Sequence, residues 1–297
     1  MLILPNELPI IDTLQQEGYN VKYRKDANSV NPLRILLLNL MPEKQQTELD
    51  ISRMLAGYDK NIELILVKIS GQKYKTTPIE YMQTHYVDFE TIASQNFDGL
   101  IVTGAPVEQI PFEEVRYWKH LCNIMDWADQ HVKSTLYICW GAQAALYHFY
   151  NINKYPLNNK MFGIFNHHLY TPLSSSLNVF NKLVDREGEF AMPVSRHTEI
   201  LKDEIIPHHS LRIIAESDMS GVGIVAEEKG HRIYITGHLE YATQRLDIEY
   251  RRDIQKGLPI HEPYNYYSTL EEDKYHIENT WNKAATAFYH SWLQLID

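Results

Sequence analysis

One cysteine stands at a position that favours nucleophilic chemistry. Residues 135–139, T-L-Y-I-C, have the pattern of a buried strand, and residues 140–150 have the apolar spacing of a helix. Cys139 therefore lies at a sharp strand-to-helix turn, the arrangement of a nucleophile elbow, and Gly141 leaves that turn uncrowded. Free N–H groups at a helix start favour a thiolate and can hold a developing oxyanion. A buried structural cysteine is the alternative, since free cysteine is among the most buried residue types.

A thiol nucleophile needs a base, and the base needs a group that orients it. His238 and Glu240 follow a predicted strand, 232–236, and a glycine. Residues two apart on an extended segment point the same way, so Glu240 is placed to orient the His238 ring. The alternative is a histidine and a glutamate on a surface loop. Taken with Cys139, the two residues complete a Cys–His–Glu triad.

Other histidines raise the question of a metal site. The chain has 14 histidines, and two adjacent pairs stand out, at 167–168 and 208–209. Zinc sites need three or four ligands with defined spacing, and no cysteine stands near either pair, so no metal is expected. The second cysteine, Cys122, falls on the apolar face of a predicted helix and is expected in the core. Two cysteines of this kind give no disulfide framework.

Composition excludes several functional classes. The chain has 297 residues, a net charge of −10 and a pI near 5.8, and no cluster of Lys and Arg supplies a nucleic-acid surface. The longest apolar runs, 33–41 and 62–67, are too short to span a bilayer. The first residues, M-L-I-L-P-N-E-L-P-I-I-D, lack the features of a signal peptide. The expectation is a cytoplasmic enzyme that binds neither nucleic acid nor membrane.

Strands and helices alternate through the first half of the chain. The predicted strands are 33–40, 62–69, 99–104 and 135–139, and the predicted helices between and after them are 43–56, 113–130 and 140–150. This alternation predicts an α/β fold, a doubly wound and mostly parallel sheet with helices on both faces. Ligands bind such sheets beyond the carboxyl ends of the strands. The site is therefore expected at three loops, 39–42, 104–110 and 139–141.

The second half of the chain is richer in strands. Residues 190–197 and 211–215 are predicted as strands, 222–226 and 232–236 as a hairpin, and 241–256 and 281–295 as helices. No repeat or linker divides the sequence, so residues 1–297 are expected to form a single domain. Residues 1–30 are predicted to be an irregular extension, and residues 257–297 a C-terminal loop, covering 257–273, and a helix.

Several motifs, in order along most of the chain, resemble the homoserine O-acyltransferase family of methionine biosynthesis. They are N-L-M-P (39–42), F-D-G-L-I-V-T-G-A-P (97–106), C-W-G-A-Q-A-A (139–145), T-G-H-L-E-Y (236–241) and P-Y-N-Y (263–266). The resemblance implies a sheet like that of the class I glutamine amidotransferases, which is flavodoxin-like, with added strands in the second half. Those enzymes also carry Cys and His-x-Glu, but they lack the other motifs.

The resemblance implies roles for the triad. It makes Cys139 the acyl-thioester nucleophile, His238 the general base and Glu240 its partner. Backbone N–H groups at Trp140 and, from the 39–42 loop, at Leu40 are expected to hold the oxyanion.

The resemblance also implies the substrate-binding residues and the substrates. Lys160, Ser195 and Arg252 match substrate-binding positions, and the Arg252 guanidinium suits a carboxylate in bidentate fashion. Glu108 matches the position that selects the acyl donor, where family members that transfer succinyl carry Gly and those that transfer acetyl carry Glu. A carboxylate there repels the succinyl carboxylate and fills its space, so acetyl-CoA is the expected donor. L-homoserine is the expected acceptor, with L-serine as an alternative because one methylene changes binding by only about 1–3 kcal/mol.

Two segments depart from the family pattern. The C-terminal helix usually opens W-R-S-H-G-N, whereas here residues 281–286 read W-N-K-A-A-T, and the segment 172–190 is longer than usual. The resemblance implies a homodimer with no bound cofactor and acetyl-CoA as co-substrate. A glutamine amidotransferase or related hydrolase with the same triad, and a binding protein without activity, remain the alternatives.

Overall fold

The computed structural model describes residues 1–28, 31–72, 74, 76–171, 173, 175–184, 188–268 and 276–297. Within these residues twelve strands form one sheet. They are β1 (Leu2–Leu4), β2 (Val21–Tyr23), β3 (Leu33–Leu38), β4 (Ile62–Lys68), β5 (Val87–Asp88), β6 (Phe97–Val102), β7 (Val132–Ile138), β8 (Tyr155–Leu169), β9 (Glu189–Glu199), β10 (Leu211–Ser217), β11 (Gly221–Glu227) and β12 (Arg232–Ile235).

Helices cover both faces of this sheet. They are α1 (Ile10–Gln16), α2 (Lys44–Ala56), α3 (Ile79–His85), α4 (Phe89–Ile92), α5 (Trp118–His131), α6 (Trp140–Tyr150), α7 (Lys202–Ile205), α8 (Arg245–Gln255) and α9 (Asn282–Ile296). Three 3₁₀ helices, Arg24–Asp26, Phe112–Glu114 and Ser175–Leu183, lie between them. No described helix has the length and apolar character needed to cross a bilayer.

The sheet has a parallel half and an antiparallel half. Its strand order is β2-β1-β4-β3-β6-β7-β12-β11-β10-β8-β9, with β5 pairing β4. All pairs from β2 to β12 are parallel, and all pairs from β12 to β9 are antiparallel. The predicted fold class, a mostly parallel sheet with added strands in the second half, is confirmed.

The central strands are apolar at nearly every position because both of their faces are covered. In β3, Ile35 and Leu37 belong to the cluster under α1, α2 and α9, while Leu36 and Leu38 belong to the cluster under α5 and α6. Alternate side chains of a strand point to opposite faces, so an uninterrupted apolar run serves two cores. Each fully buried leucine contributes about 1.5–3 kcal/mol.

The prediction that residues 1–30 are irregular is wrong for the described part of that segment. β1 pairs in parallel with β2 and with β4, and α1 packs three buried residues against the core. Strands of three residues are too short to show a period of two in the sequence. They form because the edge of β4 offers unpaired backbone groups, which is a tertiary effect.

Two further differences concern the middle of the chain. The predicted helix 113–130 is divided into the 3₁₀ turn Phe112–Glu114 and α5, and the 15-residue strand β8 was not predicted. The first half of β8 reads Y-P-L-N-N-K and is largely exposed or half-buried, so its sequence lacks an apolar pattern. Of the predicted loop 257–273, residues 269–273 lie outside the described residues, as do 172, 174 and 185–187 of the segment 172–190.

Candidate active site

Cys139 occupies the turn between β7 and α6. Its backbone has φ 52° and ψ −117°, a conformation that costs energy for any residue with a side chain. The Cys139 N–H donates to the Ile235 carbonyl at 2.7 Å, and the Cys139 carbonyl accepts the Gln143 N–H at 3.1 Å. The predicted strand-to-helix turn is confirmed, and its strain is typical of a functional residue held by its surroundings.

Two glycines let the backbone close tightly around this turn. A Cβ on Gly141 would lie 2.7 Å from the Thr103 carbonyl oxygen and 2.9 Å from that of Val102, so only glycine fits. A Cβ on Gly104 would lie 3.2 Å from the Cys139 Cβ. The first turn of α6 is therefore packed closely against the end of β6.

His238 and Glu240 form a buried pair beside Cys139. The His238 N–H donates to the Pro193 carbonyl at 2.8 Å, which fixes the backbone just after β12. The His238 Nδ1 lies 2.7 Å from Glu240 Oε1, and the ring stacks on Tyr241 with centroids 4.1 Å apart. A carboxylate at Nδ1 makes that nitrogen the N–H donor, which leaves Nε2 for proton transfer.

The charges around His238 favour its protonated form. Burial opposes the imidazolium, but the carboxylate of Glu240 and then the sulfur of Cys139, which hydrogen-bonds the ring, raise the pKa of His238 well above its usual value. A thiol beside an imidazole with a raised pKa transfers its proton readily. The predicted triad residues are thus brought together in one place.

A cavity of about 710 Å³ opens above the sulfur. Its walls include Met41 and Pro42 from the first predicted loop, Glu108 from the second, and Cys139 from the third. All three follow the carboxyl ends of parallel strands, as expected for this class of sheet.

A fourth wall of the cavity comes from the loop after α8. Leu258, Pro259 and Ile260 line the cavity, and further along the same loop Tyr264 bonds to β8. The Tyr264 N–H donates to the Phe162 carbonyl at 2.9 Å, and the Ile164 N–H donates to the Tyr264 carbonyl at 2.8 Å. This pairing holds the loop against the sheet.

The three predicted substrate-binding residues line one side of the cavity. Lys160 Nζ lies 3.2 Å from Asp253 Oδ2 and 3.4 Å from Glu249 Oε2. Ser195 Oγ donates to Glu249 Oε2 at 2.7 Å, and Arg252 Nε donates to Asp253 Oδ1 at 2.8 Å. This side therefore presents both cations and carboxylates, which suits a zwitterionic ligand.

Glu249 is a central residue of this wall that sequence reasoning missed. It accepts hydrogen bonds from Ser195 and, at 2.9 Å, from the Tyr241 hydroxyl, and it is almost fully buried. Burial would raise the pKa of its carboxyl, but the nearby Lys160 ammonium and the Ser195 hydrogen bond lower it overall. Helical spacing could have identified it, because Glu249 lies three residues before Arg252 and four before Asp253 on α8, on the same helix face.

Glu108 lines the same cavity from the loop after β6. Its Oε2 accepts the His197 N–H at 3.0 Å, which fixes the carboxylate at the edge of the cavity. Glu108 also lines a second cavity of about 560 Å³ that lies between Ile110, Phe112 and Lys154. Glu108, Gln109 and His197 belong to the linings of both cavities.

The structure does not support one of the two predicted oxyanion donors. The Leu40 N–H donates to Thr103 Oγ1 at 2.8 Å and is already engaged. The next amide, Met41 N–H, donates to Asn39 Oδ1 at 3.1 Å. The Trp140 N–H, at the first position of α6, has no acceptor within the helix and stays the predicted donor.

The histidine pairs take part in packing and surface contacts. His167 is buried, its Nδ1 lies 3.0 Å from the Phe165 carbonyl, and burial lowers its pKa to about 4. His168 is half-exposed beside Glu189. Among the described residues, no group of three or more His, Cys, Asp or Glu is arranged to hold a metal ion.

A second buried carboxyl, Asp50 on α2, lies behind the triad. The pKa of Asp50 is raised from 3.8 to about 7, mainly by burial and also by the carboxylate of Glu240. The charges of Arg245 and Arg53 and the hydrogen bond from Gln46 oppose this shift. An acid whose pKa is higher in the folded than in the unfolded chain stabilises the fold at low pH. That stability is lost as the pH rises from about 4 to about 7.

Replacing Asp50 with Asn is therefore expected to stabilise the protein at neutral and alkaline pH. The expected gain in the free energy of unfolding is roughly 1–3 kcal/mol near pH 8, and it shrinks as the pH falls towards 4. Urea unfolding of both proteins across this pH range measures it. An equal effect of Asp50→Asn at all pH values would show that the pKa of Asp50 is the same in the folded and the unfolded protein.

The amino-acid sequence is similar to those of homoserine O-acyltransferases along nearly its whole length. A family model described as "HTS: Homoserine O-succinyltransferase" matches residues 1–296. Similar curated proteins include the homoserine O-acetyltransferases of Phocaeicola vulgatus (45% identical over 294 residues, 98% of this chain and 94% of that one) and Bacteroides fragilis (46% over 294 residues, with the same coverage). That of Brevibacillus brevis is 43% identical over 296 residues, covering 98% and 93%.

Solved structures are similar in fold. A glutamine amidotransferase from Thermotoga maritima superposes with a TM-score of 0.57 at 12% identity, over 90% of this chain and 100% of that one. A glutamine amido transferase from Methylobacillus flagellatus also gives 0.57, at 11% identity, over 91% and 96%. At this identity the likeness extends to the fold alone, and it confirms the predicted class I glutamine amidotransferase-like sheet.

Proposed function

The chain belongs to the homoserine O-succinyltransferase family, as its motifs predicted, and we propose that it transfers an acetyl group from acetyl-CoA to L-homoserine. The family makes it an acyltransferase. The donor, the covalent route and the residue roles are our proposal. The observation that supports them most is the buried His238–Glu240 pair, 2.7 Å apart, beside a cysteine held on a strained turn.

The first half of the proposed reaction loads the enzyme. His238 Nε2 takes the Cys139 proton, and the thiolate attacks the carbonyl carbon of acetyl-CoA. The oxyanion that forms is held by the Trp140 N–H at the start of α6. The carbon–sulfur bond to CoA then breaks, His238 returns its proton to the leaving sulfur, and an acetyl thioester remains on Cys139.

The second half transfers the acetyl group to the acceptor. The wall of Lys160, Ser195, Glu249 and Arg252 offers cations for the α-carboxylate of homoserine and a carboxylate for its α-ammonium. His238 takes the proton of the acceptor hydroxyl, whose oxygen attacks the thioester. The bond to Cys139 breaks, the thiolate takes back the proton from His238, and O-acetyl-L-homoserine leaves. The reaction consumes acetyl-CoA as a co-substrate and needs no resident cofactor.

Steady-state assays with acetyl-CoA and succinyl-CoA, each crossed with L-homoserine and L-serine, test this proposal. We expect the highest kcat/KM for acetyl-CoA with homoserine and parallel double-reciprocal plots, the signature of a covalent intermediate. Ammonia release from glutamine without release of CoA from either donor would instead favour the hydrolase alternative.

The predicted homodimer stays a prediction, which the molecular mass in solution would test.

Replacing Glu108 with Gly is expected to admit succinyl-CoA. Removing the carboxylate ends its repulsion of the succinyl carboxylate and opens space, so kcat/KM for succinyl-CoA is expected to rise by about 10-fold or more relative to that for acetyl-CoA. Glu108→Gln is the matched control because it removes the charge and keeps the volume. An unchanged donor preference in both variants would show that Glu108 does not select the donor.

Replacing Arg252 with Lys is expected to weaken acceptor binding. Lysine keeps the charge but loses the two parallel donors of a guanidinium, so KM for homoserine is expected to rise by about 10-fold with a smaller change in kcat. Arg251→Lys, at the adjacent exposed position of α8, is the control. A higher KM for acetyl-CoA with an unchanged KM for homoserine would assign Arg252 to the donor instead.

A further inference from the structure

Two polar atoms behind the triad are buried without a partner. Glu240 Oε1 accepts the hydrogen bond of His238 Nδ1, while Glu240 Oε2 has no hydrogen-bond partner among the described residues. Arg245, on α8, donates Nη1 to Glu43 at 2.9 Å, while its Nε has no such partner among those residues. Glu240 is 7% exposed and Arg245 4%. One atom is an acceptor and the other a donor, and leaving both unsatisfied is costly.

A small cavity lies where these side chains meet. Its volume is about 10 Å³, and Glu240, Arg245 and Asp50 all line it. A cavity of this size accommodates the centre of about one water molecule, which needs two to four polar partners. An apolar ligand or a larger ion does not suit this space.

We propose that this cavity binds one water molecule, which accepts the Arg245 Nε–H and donates to Glu240 Oε2, and that Arg245 is thereby a positioning residue for the catalytic base. The proposal rests on the proposed function, since it concerns how the His238–Glu240 pair is held. The second water proton is available to the Asp50 carboxyl. The bridge connects α8 with the segment after β12, in which Glu240 lies, without direct contact.

The surroundings of Glu240 explain why a guanidinium is needed there. His238 from its own segment, Asp50 from α2 and the hydroxyl of Tyr289 from α9 interact with this carboxylate. Arg245 from α8 lines the same small cavity and lowers the pKa of Asp50. Asp50 is a second carboxyl, and two buried carboxylates close together favour protonation of one of them. Protonation of Glu240 would remove the charge that supports the His238 imidazolium. The Arg245 guanidinium offsets the charge of these two acids, and burial raises the pKa of Asp50, so Asp50 is the acid that we expect to hold the extra proton.

Arg245 also lines the large cavity, and direct contact with substrate is the competing role. The two roles differ in what they change. A substrate contact affects KM, whereas a group acting through Glu240 affects kcat and the pH at which the base becomes competent.

The test uses the full-length Arg245→Met and Arg245→Lys variants, with Arg251→Met on the same helix as control. For Arg245→Met we expect kcat to fall by about 10-fold, KM for homoserine to stay within about 2-fold, and the acid limb of kcat/KM to move to higher pH. Arg245→Lys, which retains a positive charge, is expected to keep the acid limb close to that of the parent, and Arg251→Met to change nothing. A raised KM at unchanged kcat and pH profile would overturn the proposal.

Two measurements separate this inference from the proposed reaction. The first is the pH dependence of Cys139 alkylation by iodoacetamide, followed by mass spectrometry of its peptide. The midpoint of this profile is expected to move to higher pH in Arg245→Met, whether or not acyl transfer is detected. A crystal structure that resolves ordered waters is expected to show density between Arg245 Nε and Glu240 Oε2. A side chain in that space, or an alkylation profile unchanged by Arg245→Met, would overturn the inference even if acetyl transfer is confirmed.

Discussion

Replacing Cys139 with Ala is expected to lower kcat for acyl transfer by about 10⁴-fold or more without unfolding the protein. The sulfur forms the only covalent bond that the proposed enzyme makes to the acyl group, so no other residue replaces it. The alanine side chain fits the same turn. Acyl transfer and the circular dichroism of parent and variant measure the two parts of this expectation.

The acyl-enzyme itself gives a second measurement. Parent protein mixed with acetyl-CoA in the absence of homoserine is expected to gain the mass of one acetyl group on the peptide that contains Cys139, and Cys139→Ala to gain none. Cys122→Ala is the matched control, because Cys122 is a half-buried cysteine on α5, away from the cavity. It is expected to keep both activity and labelling. Full activity in Cys139→Ala would exclude every covalent scheme described above.

Replacing His238 with Gln is expected to lower kcat by about 10³- to 10⁴-fold. Glutamine preserves much of the side-chain volume but cannot take a proton from the thiol or from the acceptor hydroxyl. Because Glu240 and the Cys139 sulfur raise the pKa of His238, we expect an imidazolium there to stabilise the thiolate in the parent protein. The parent is therefore expected to react with iodoacetamide well below the usual thiol pKa of about 8.5.

The pH dependence of alkylation tests whether His238 stabilises the Cys139 thiolate. In His238→Gln no imidazolium stabilises the thiolate, so the alkylation midpoint is expected to move upward to that of an ordinary thiol. His209→Gln, at an exposed histidine before β10, is the control and is expected to leave the profile unchanged. Identical profiles in the parent and His238→Gln would mean that the ring does not support the thiolate.

The strand-to-helix turn at Cys139 was predictable because its signal is local. The change from a continuous apolar strand to helical spacing falls at one residue, and nothing distant is needed to place it. Proximity to His238 depends on the parallel pairing of β7 with β12, which the sequence analysis did not predict; both motifs follow the carboxyl ends of these strands. The fold class followed from the same alternation of strands and helices.

The missed features depend on contacts between distant parts of the chain. Leu40 was predicted to offer a free N–H, but Thr103, 63 residues later, accepts it. Glu249 was overlooked because a charged residue on a helix usually faces solvent. Its burial depends on contacts with Ser195 from β9 and Lys160 from β8. β1 and β2 form only because β4 offers them a partner. No local sequence pattern carries this information.

The close approach of α6 to β6 at Gly141 has a consequence for how such an enzyme diverges. The approach of α6 to β6 is set by main-chain atoms of Thr103 and Val102, which every amino acid supplies. The side chains proposed to choose donor and acceptor, Glu108, Lys160, Ser195 and Arg252, take no part in this backbone contact. Mutation can therefore change selectivity at those side chains while the backbone turn that carries the nucleophile is kept, so new substrates are reachable without rebuilding that turn.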